Sequence, residues 1–242
     1  MKPAAVVVGV GPVQGLGAAL AYRFAQAGLT VFPVGRTEAR VRRVAGDIEQ
    51  LGGRAKALVA DATVPEQVET LFTQIADLGY VPELVTCTVD LNLKAPLLET
   101  APEDFEALWR ANCFAAYLVA REALRRMLPR RRGTLILTGA SASLRARPPF
   151  TAFAAAKFAL RALAQGLARE YGPRGIHVAH VIIDGVLDGE RARRRFPELV
   201  AVKGDSGLTR PESVAELYWQ LHCQPADAWT HELDLRPATE HF

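Results

Sequence analysis

"VVVGVGPVQGLGAAL", Val6–Leu20, decides how the rest of the chain is read. A valine-rich run ends in Gly9, Gly11, Gly15 and Gly17, and a helix-forming sequence follows at once. Such a run suits a strand buried on both faces. Glycines let the backbone turn tightly and let a ligand come close to it. A helix opening straight after the turn aims its unpaired N–H groups at that ligand. The stretch therefore predicts a strand, a phosphate cradle and a helix. A tight turn that binds nothing is the competing reading.

The pattern repeats outward from this stretch. Apolar runs at Ala4–Val8, Thr30–Val34, Ala55–Val59, Glu83–Thr88, Thr134–Thr138, Ile176–Ile183 and Glu232–Leu235 read as strands. Leu16–Ala27, Glu38–Leu51, Pro65–Leu78, Ala152–Tyr171 and Pro211–His222 read as helices, and Pro102–Leu128 as one or two. Short, regular alternation of the two predicts an α/β fold with a parallel sheet and helices on both faces. With no repeat and no linker, residues 1–242 are expected to form one doubly wound domain. In such sheets a ligand lies outside the carboxyl ends of the strands, so the residues just after each strand are the ones to inspect.

After the second strand comes "VFPVGRTEAR", Val31–Arg40. An acid here would hold the ribose hydroxyls of NAD; instead Arg36 stands where a 2′-phosphate would lie, and the first acid is Glu38. That favours NADP(H) and leaves NAD(H) as the second choice; an ordinary turn arginine is the bland alternative. A second unusual stretch is "FTAFAAAKFALRALAQ", Phe150–Gln165. Phe153, Lys157, Leu160, Ala164 and Leu167 share one helical stripe, which places an ammonium on an apolar face. Such a charge needs partners, a ligand, or a stem long enough to lift its head to water.

Composition narrows the function classes. The chain has 242 residues, half of them hydrophobic, and a net charge of +3. That balance does not suggest a nucleic-acid binder. The basic runs at Arg125–Arg126, Arg130–Arg132 and Arg193–Arg195 read as solvated faces or local anion patches. Three scattered cysteines give neither a disulfide framework nor a zinc pattern, so no metal is expected. No stretch has the length of a membrane span, and a cytoplasmic location is expected.

The glycine loop, Arg36 and the helix around Lys157 together resemble the short-chain dehydrogenase/reductase family over nearly the whole chain. The resemblance implies a Rossmann-type sheet of seven parallel strands. It implies cofactor contacts at Gly11, Gly15, Leu16, Gly17, Arg36 and Lys157, and an adenine contact at Asp61 in "VADAT". The family's asparagine falls on Asn112 in "WRANCFAAY", with a plain helix asparagine as the alternative. Its serine falls beside Ser141, with Ala140 at the strict spacing and Ser143 two residues beyond Ser141. Its tyrosine falls on Phe153, four residues before Lys157. Its NNAG segment is replaced by Thr86–Val89, its proline-glycine by Asp184-Gly185, and its variable substrate lid covers about 186–210. The resemblance also implies a homodimer or homotetramer built on Pro102–Leu128 and Ala152–Tyr171.

In that family the cofactor supplies a hydride and tyrosine exchanges the proton. Phenylalanine cannot, and a positioned acid is worth roughly 10²–10⁴ in rate. Two expectations follow. One is an NADP(H)-dependent oxidoreductase acting on an unidentified carbonyl, alcohol or related small molecule, with Lys157, Asn112 and Ser141 as candidate catalytic residues. The other is a catalytically weak dinucleotide-binding protein that acts through partners.

Overall fold

A single proline shapes one end of the sheet. In the computed structural model, which describes residues 1–240, β1 (Lys2–Val8) is followed by α1 (Leu16–Gln26), β2 (Thr30–Gly35) and α2 (Glu38–Gln50). The expected third strand is then split into β3 (Arg54–Ala55) and β4 (Leu58–Val59), both parallel to β2. Lys56 N donates to Val31 O (2.9 Å) and Ala60 N to Gly35 O (3.2 Å). Alternate residues of a strand point their polar groups to the same side, so residue 33 should donate between these two bonds. It is Pro33 and has no N–H, and the ladder breaks opposite it.

The chain continues through α3 (Pro65–Asp77), β5 (Tyr80–Cys87), α4 (Pro102–Trp109), α5 (Ala115–Met127), β6 (Gly133–Ala140), α6 (Thr151–Tyr171) and β7 (Ile176–Ile183). A polar segment carries β8 (Val186–Leu187), α7 (Glu190–Arg195), α8 (Pro197–Lys203) and β9 (Leu208–Thr209). It ends with α9 (Pro211–His222) and β10 (Glu232–Leu235). The sheet order is β10-β7-β6-β5-β1-β2-β3, with β4 also beside β2. All pairings are parallel. Counting β3 and β4 as one broken strand gives the expected seven positions. The chain leaves β1 toward β2, then returns to its other side at β5, which makes β1/β5 the switch point.

Two apolar layers sandwich this sheet. Val7, Leu20, Phe24, Val44 and Tyr218 pack with α1, α2 and α9 on one face. Val6, Phe72, Val119, Met127 and Leu160 pack with α3, α5 and α6 on the other. On the two helices that the resemblance implies for oligomer contacts, Leu118 and Leu124 lie in this second core and Leu163 packs against it, while Tyr117 and Phe158 remain exposed. The basic runs are largely exposed, with Arg125–Arg126 and Arg193–Arg195 in the last turns of α5 and α7, as expected of solvated helix ends, and two of the runs also hold buried acids. Arg125 and Arg126 both reach the buried Glu122 (2.7 Å each), and Arg132 reaches the buried Glu83 (2.7 Å). Paired arginines keep these buried carboxylates from being orphaned charges. Among the described residues, no helix is long and apolar enough to cross a membrane.

His177 and His180 on β7 are buried, and His222 at the end of α9 is half-buried. Burial holds all three imidazoles below their ordinary pKa. The folded chain therefore keeps them neutral where the unfolded chain would bind protons. Stability should be fully present above about pH 7 and should fall as pH drops through about 6.5, the unfolded histidine value. Calorimetry between about pH 8 and 5.5 checks this; a Tm that rises or stays level below about pH 6.5 contradicts it.

Candidate active site

Three of the sequence-marked features line up along the carboxyl edge of the sheet. After β1, helix α1 opens at Gly15 with no side-chain cap and no acid in its first turn. α2 and α3 carry Glu38 and Glu66 at that position. The N–H groups and positive dipole end of α1 are therefore left for an outside anion. A Cβ on Gly17 would sit 2.8 Å from Val10 Cα, so only glycine lets the helix start this close to β1. A Cβ on Gly11 would meet nothing within 4 Å, which leaves room over the loop. Leu16 is buried in the core and can offer the loop its backbone alone. The loop fits a phosphate-bearing ligand.

After β2, the Arg36 guanidinium is 78% exposed and lies 3.7 Å from Asp61 Oδ2, a loose ion pair. Asp61 Oδ1 accepts from Thr63 N (2.9 Å) and Thr63 Oγ1 (2.7 Å). Burial raises its pKa, but the Thr63 bonds and the Arg36 charge outweigh this and hold the carboxyl below the usual range. Arg36 and Asp61 are thus together, at the end of the cleft away from Lys157.

Beside β5 and β6, Lys157 is only 2% exposed, so its stem does not lift the head to water. Its Nζ donates to Thr138 O (3.3 Å) and pairs with Asp90 Oδ1 (3.2 Å). The ring of Phe153 lies one turn back, 5.6 Å from Nζ. Asp90 was not among the residues marked from sequence. The signal was available: it is a lone acid three residues beyond the end of β5, on the edge where ligands bind. Its Oδ2 accepts from Arg191 Nη1 (2.9 Å). Burial pushes the Asp90 carboxyl up, but the Lys157 and Arg191 charges outweigh it and hold the group below its ordinary value.

Asn112 works on the same segment. The stretch 102–128, expected as one or two helices, is two helices joined by a π turn at Arg110–Phe114, and Asn112 sits in it, buried. Its Nδ2 donates to Leu91 O (2.7 Å) and Leu108 O (2.9 Å), and its Oδ1 accepts from Leu91 N (3.4 Å). The side chain clips the loop after β5 and so fixes Asp90 from behind. π turns concentrate at functional positions because the extra residue re-aims a side chain.

The candidate hydroxyls divide. Ser143 is fully buried, and its Oγ accepts from Ala140 N (3.2 Å), closing the turn after β6. Ser141 is half-buried. Phe153 packs among Leu108, Ala142, Ala152 and Ala154. Tyr218 OH shares a hydrogen bond with Thr138 Oγ1 (2.8 Å), and burial pushes its phenol far up. His180 Nδ1 lies 2.9 Å from Glu232 Oε2, inside the core. Burial pushes the Cys87 thiol up to about 11, which suits a packing residue.

The 186–210 segment lies across this edge. Gly189, ahead of α7, runs against the Gln14 carbonyl, where a Cβ would collide. Arg191 reaches Asp90, and Arg195 Nη2 reaches Asn92 O at 3.5 Å. Asp184, just after β7, is buried and accepts from Arg145 Nη2 at 2.8 Å on both oxygens.

Comparison with known proteins agrees with this arrangement. The family model for short chain dehydrogenase matches residues 4–197. A solved short-chain dehydrogenase from Rhodopseudomonas palustris is 37% identical, with a TM-score of 0.83 over 98% of this chain and 99% of that one. A 1-deoxy-11-beta-hydroxypentalenate dehydrogenase of Streptomyces exfoliatus is 32% identical over 90% of this chain and 78% of its own length. A short-chain dehydrogenase/reductase of Armillaria gallica is 30% identical over 72% of this chain and 67% of its own length. With the switch point, the uncapped glycine loop and the buried lysine in place, these matches assign the chain to the short-chain dehydrogenase/reductase family of oxidoreductases.

Proposed function

We propose that this chain, acting as one dinucleotide-binding domain, is an NADP(H)-dependent oxidoreductase of a carbonyl, an alcohol or a related small molecule. The carrying observation is the order of groups along the carboxyl edge. Arg36 follows β2, the uncapped α1 follows β1, and Lys157 lies beside β5 and β6. A 2′-phosphate, a diphosphate and a ribose would meet these groups in that order. Arg36, with no acid adjacent to it in sequence and only a loose pair with Asp61, favours the 2′-phosphate; Asp61 would face the adenine end.

Proton supply is where a second reading gains support. Phe153 stands where the family resemblance puts a tyrosine, and its buried ring offers no proton. Ser143 and Tyr218 are engaged inside the fold. That leaves Ser141, the exposed Thr151, solvent and Lys157 itself. A weak enzyme, or a dinucleotide-binding protein acting through partners, fits the same inventory. NADPH consumption over a panel of ketones, aldehydes and imines separates the two, with turnover supporting the enzyme.

The chain is further proposed to form a homo-oligomer. Phe105, Trp109, Tyr117 and Phe158 stand 40–43% exposed on α4, α5 and α6. Trp109 stacks on Phe114 (5.4 Å between centroids) and Phe114 on Tyr117 (5.9 Å), forming a continuous aromatic face. A second copy of the same face would bury it.

Each element of this reading has its measurement. NADPH should bind more tightly than NADH in a fluorescence titration, and Arg36→Glu should reverse or abolish the preference. Lys157→Ala should weaken NADPH by about 1.5–3 kcal/mol, the range for a hydrogen bond to a charged group. Unaltered affinity in a folded Lys157→Ala variant would refute the ribose role. Phe153→Tyr should leave NADPH affinity nearly unchanged, and it should raise reductase activity only where Ser141 can orient the carbonyl. Light scattering at micromolar concentration should report a dimer or tetramer; a monomer ends the oligomer proposal.

A further inference from the structure

Lys157 is buried, and the carboxylate paired with it, Asp90, is the more open of the two. Lys157 is 2% exposed, whereas the Asp90 side chain is 31% exposed. The carboxylate is thus the more accessible half of the pair. We infer that Asp90 is a second cofactor-binding residue, which accepts a hydroxyl of the nicotinamide ribose beside Lys157 and links that event to the lid through Arg191. The inference rests on the cofactor reading above and adds to it a residue and a coupling.

The chemistry of a vicinal diol carries the argument. Each diol oxygen can both donate and accept. An ammonium only donates and a carboxylate only accepts. A lysine and an aspartate 3.2 Å apart therefore match one diol, Nζ giving to one oxygen and Oδ1 taking from an O–H. Phe153, whose ring centroid lies 5.6 Å from Nζ, offers neither function. Asp90 stays an ionised acceptor at neutral pH, because burial is outweighed by the two cations beside it. Charge-assisted bonds of this kind are the stronger ones.

Asp90 is also held in place before any ligand arrives. Asn112 grips Leu91 through both its amide oxygen and nitrogen. Arg191, on α7, binds Oδ2 at 2.9 Å. When a diol takes Oδ1, Oδ2 remains with Arg191, so the ribose and α7 are tied to one carboxylate. Occupation of this end of the cleft is thereby coupled to the 186–210 segment through one shared carboxylate. A rival arrangement has the opposite sign: Asp90 could simply block Lys157, and its removal would then tighten cofactor binding.

Calorimetric titration of the full chain with NADPH and with 2′,5′-ADP decides between them. The second probe carries the adenosine half and lacks the nicotinamide ribose. Asp90→Asn should weaken NADPH by about tenfold, the loss of one charge-assisted bond, and leave 2′,5′-ADP within about twofold. Unchanged 2′,5′-ADP binding doubles as proof that the variant folds. Adding Phe153→Tyr to Asp90→Asn should recover part of the NADPH affinity, because a hydroxyl returns beside Lys157. A double variant no tighter than the single one overturns the idea that Asp90 is the ribose acceptor beside Lys157. Trypsin reads the lid, since α7 carries Arg193–Arg195. NADPH should protect these sites in the wild type, 2′,5′-ADP should not, and Asp90→Asn should remove the difference. If the wild type binds both probes and Asp90→Asn leaves their ratio unchanged or favours NADPH, the Asp90 assignment fails alone. If the wild type binds neither probe, the cofactor reading fails and the inference with it.

Discussion

The architecture of the cleft turns on one ammonium that has no access to water. Burying a lone charge costs several kcal/mol, and proteins tolerate it only with partners. Lys157 has two, the Thr138 carbonyl and the Asp90 carboxylate. Each partner recruits a further element. Thr138 belongs to β6 and its hydroxyl meets Tyr218 of α9. Asp90 belongs to the loop after β5, and through Arg191 it meets α7. Four parts of the chain that are far apart in sequence thus converge on a single nitrogen. The apolar helix α6 supplies the position, and the surrounding polar groups make the position tolerable.

This also explains how much of the site was legible beforehand. The sheet was, because parallel strands buried on both faces leave continuous apolar runs and their helices leave a period of 3.6. The glycine loop was, because turning tightly against β1 demands glycine at Gly17. The burial of Lys157 was, because its stripe runs through Phe153 and Leu160. Asp90 was not singled out, because one acid in an irregular loop has no period and no spacing rule to reveal it. Ser141 and Ser143 could not be told apart by counting; the backbone turn after β6 separates them, by spending Ser143 on Ala140 N. The acid partners of two arginine runs were not legible, because Glu83 and Glu122 are either remote in sequence or hidden on the inner side of a helix.

The π turn at Arg110–Phe114 has a similar status. Nothing in the periodicity of 102–128 announces it. It exists because Asn112 must point inward at Leu91 while the residues before and after keep their own faces. A helix of uniform pitch would satisfy the apolar contacts of α4 or of α5, and would leave the Leu91 amide without its clip. The local departure from regular geometry is the means by which a helix surface reaches a loop backbone.

Pro33 has a consequence for the molecule among its neighbours. A long, regular outer strand presents a row of unpaired N–H and C=O groups, a template on which another chain can add a strand. On this side of the sheet the outermost position is held by β3 and β4, each of two residues, with the charged Lys56 at the break between them. An incoming strand would find no continuous ladder to extend. The missing donor on an inner strand, by fragmenting the strand outside it, guards the open border of the sheet against aggregation.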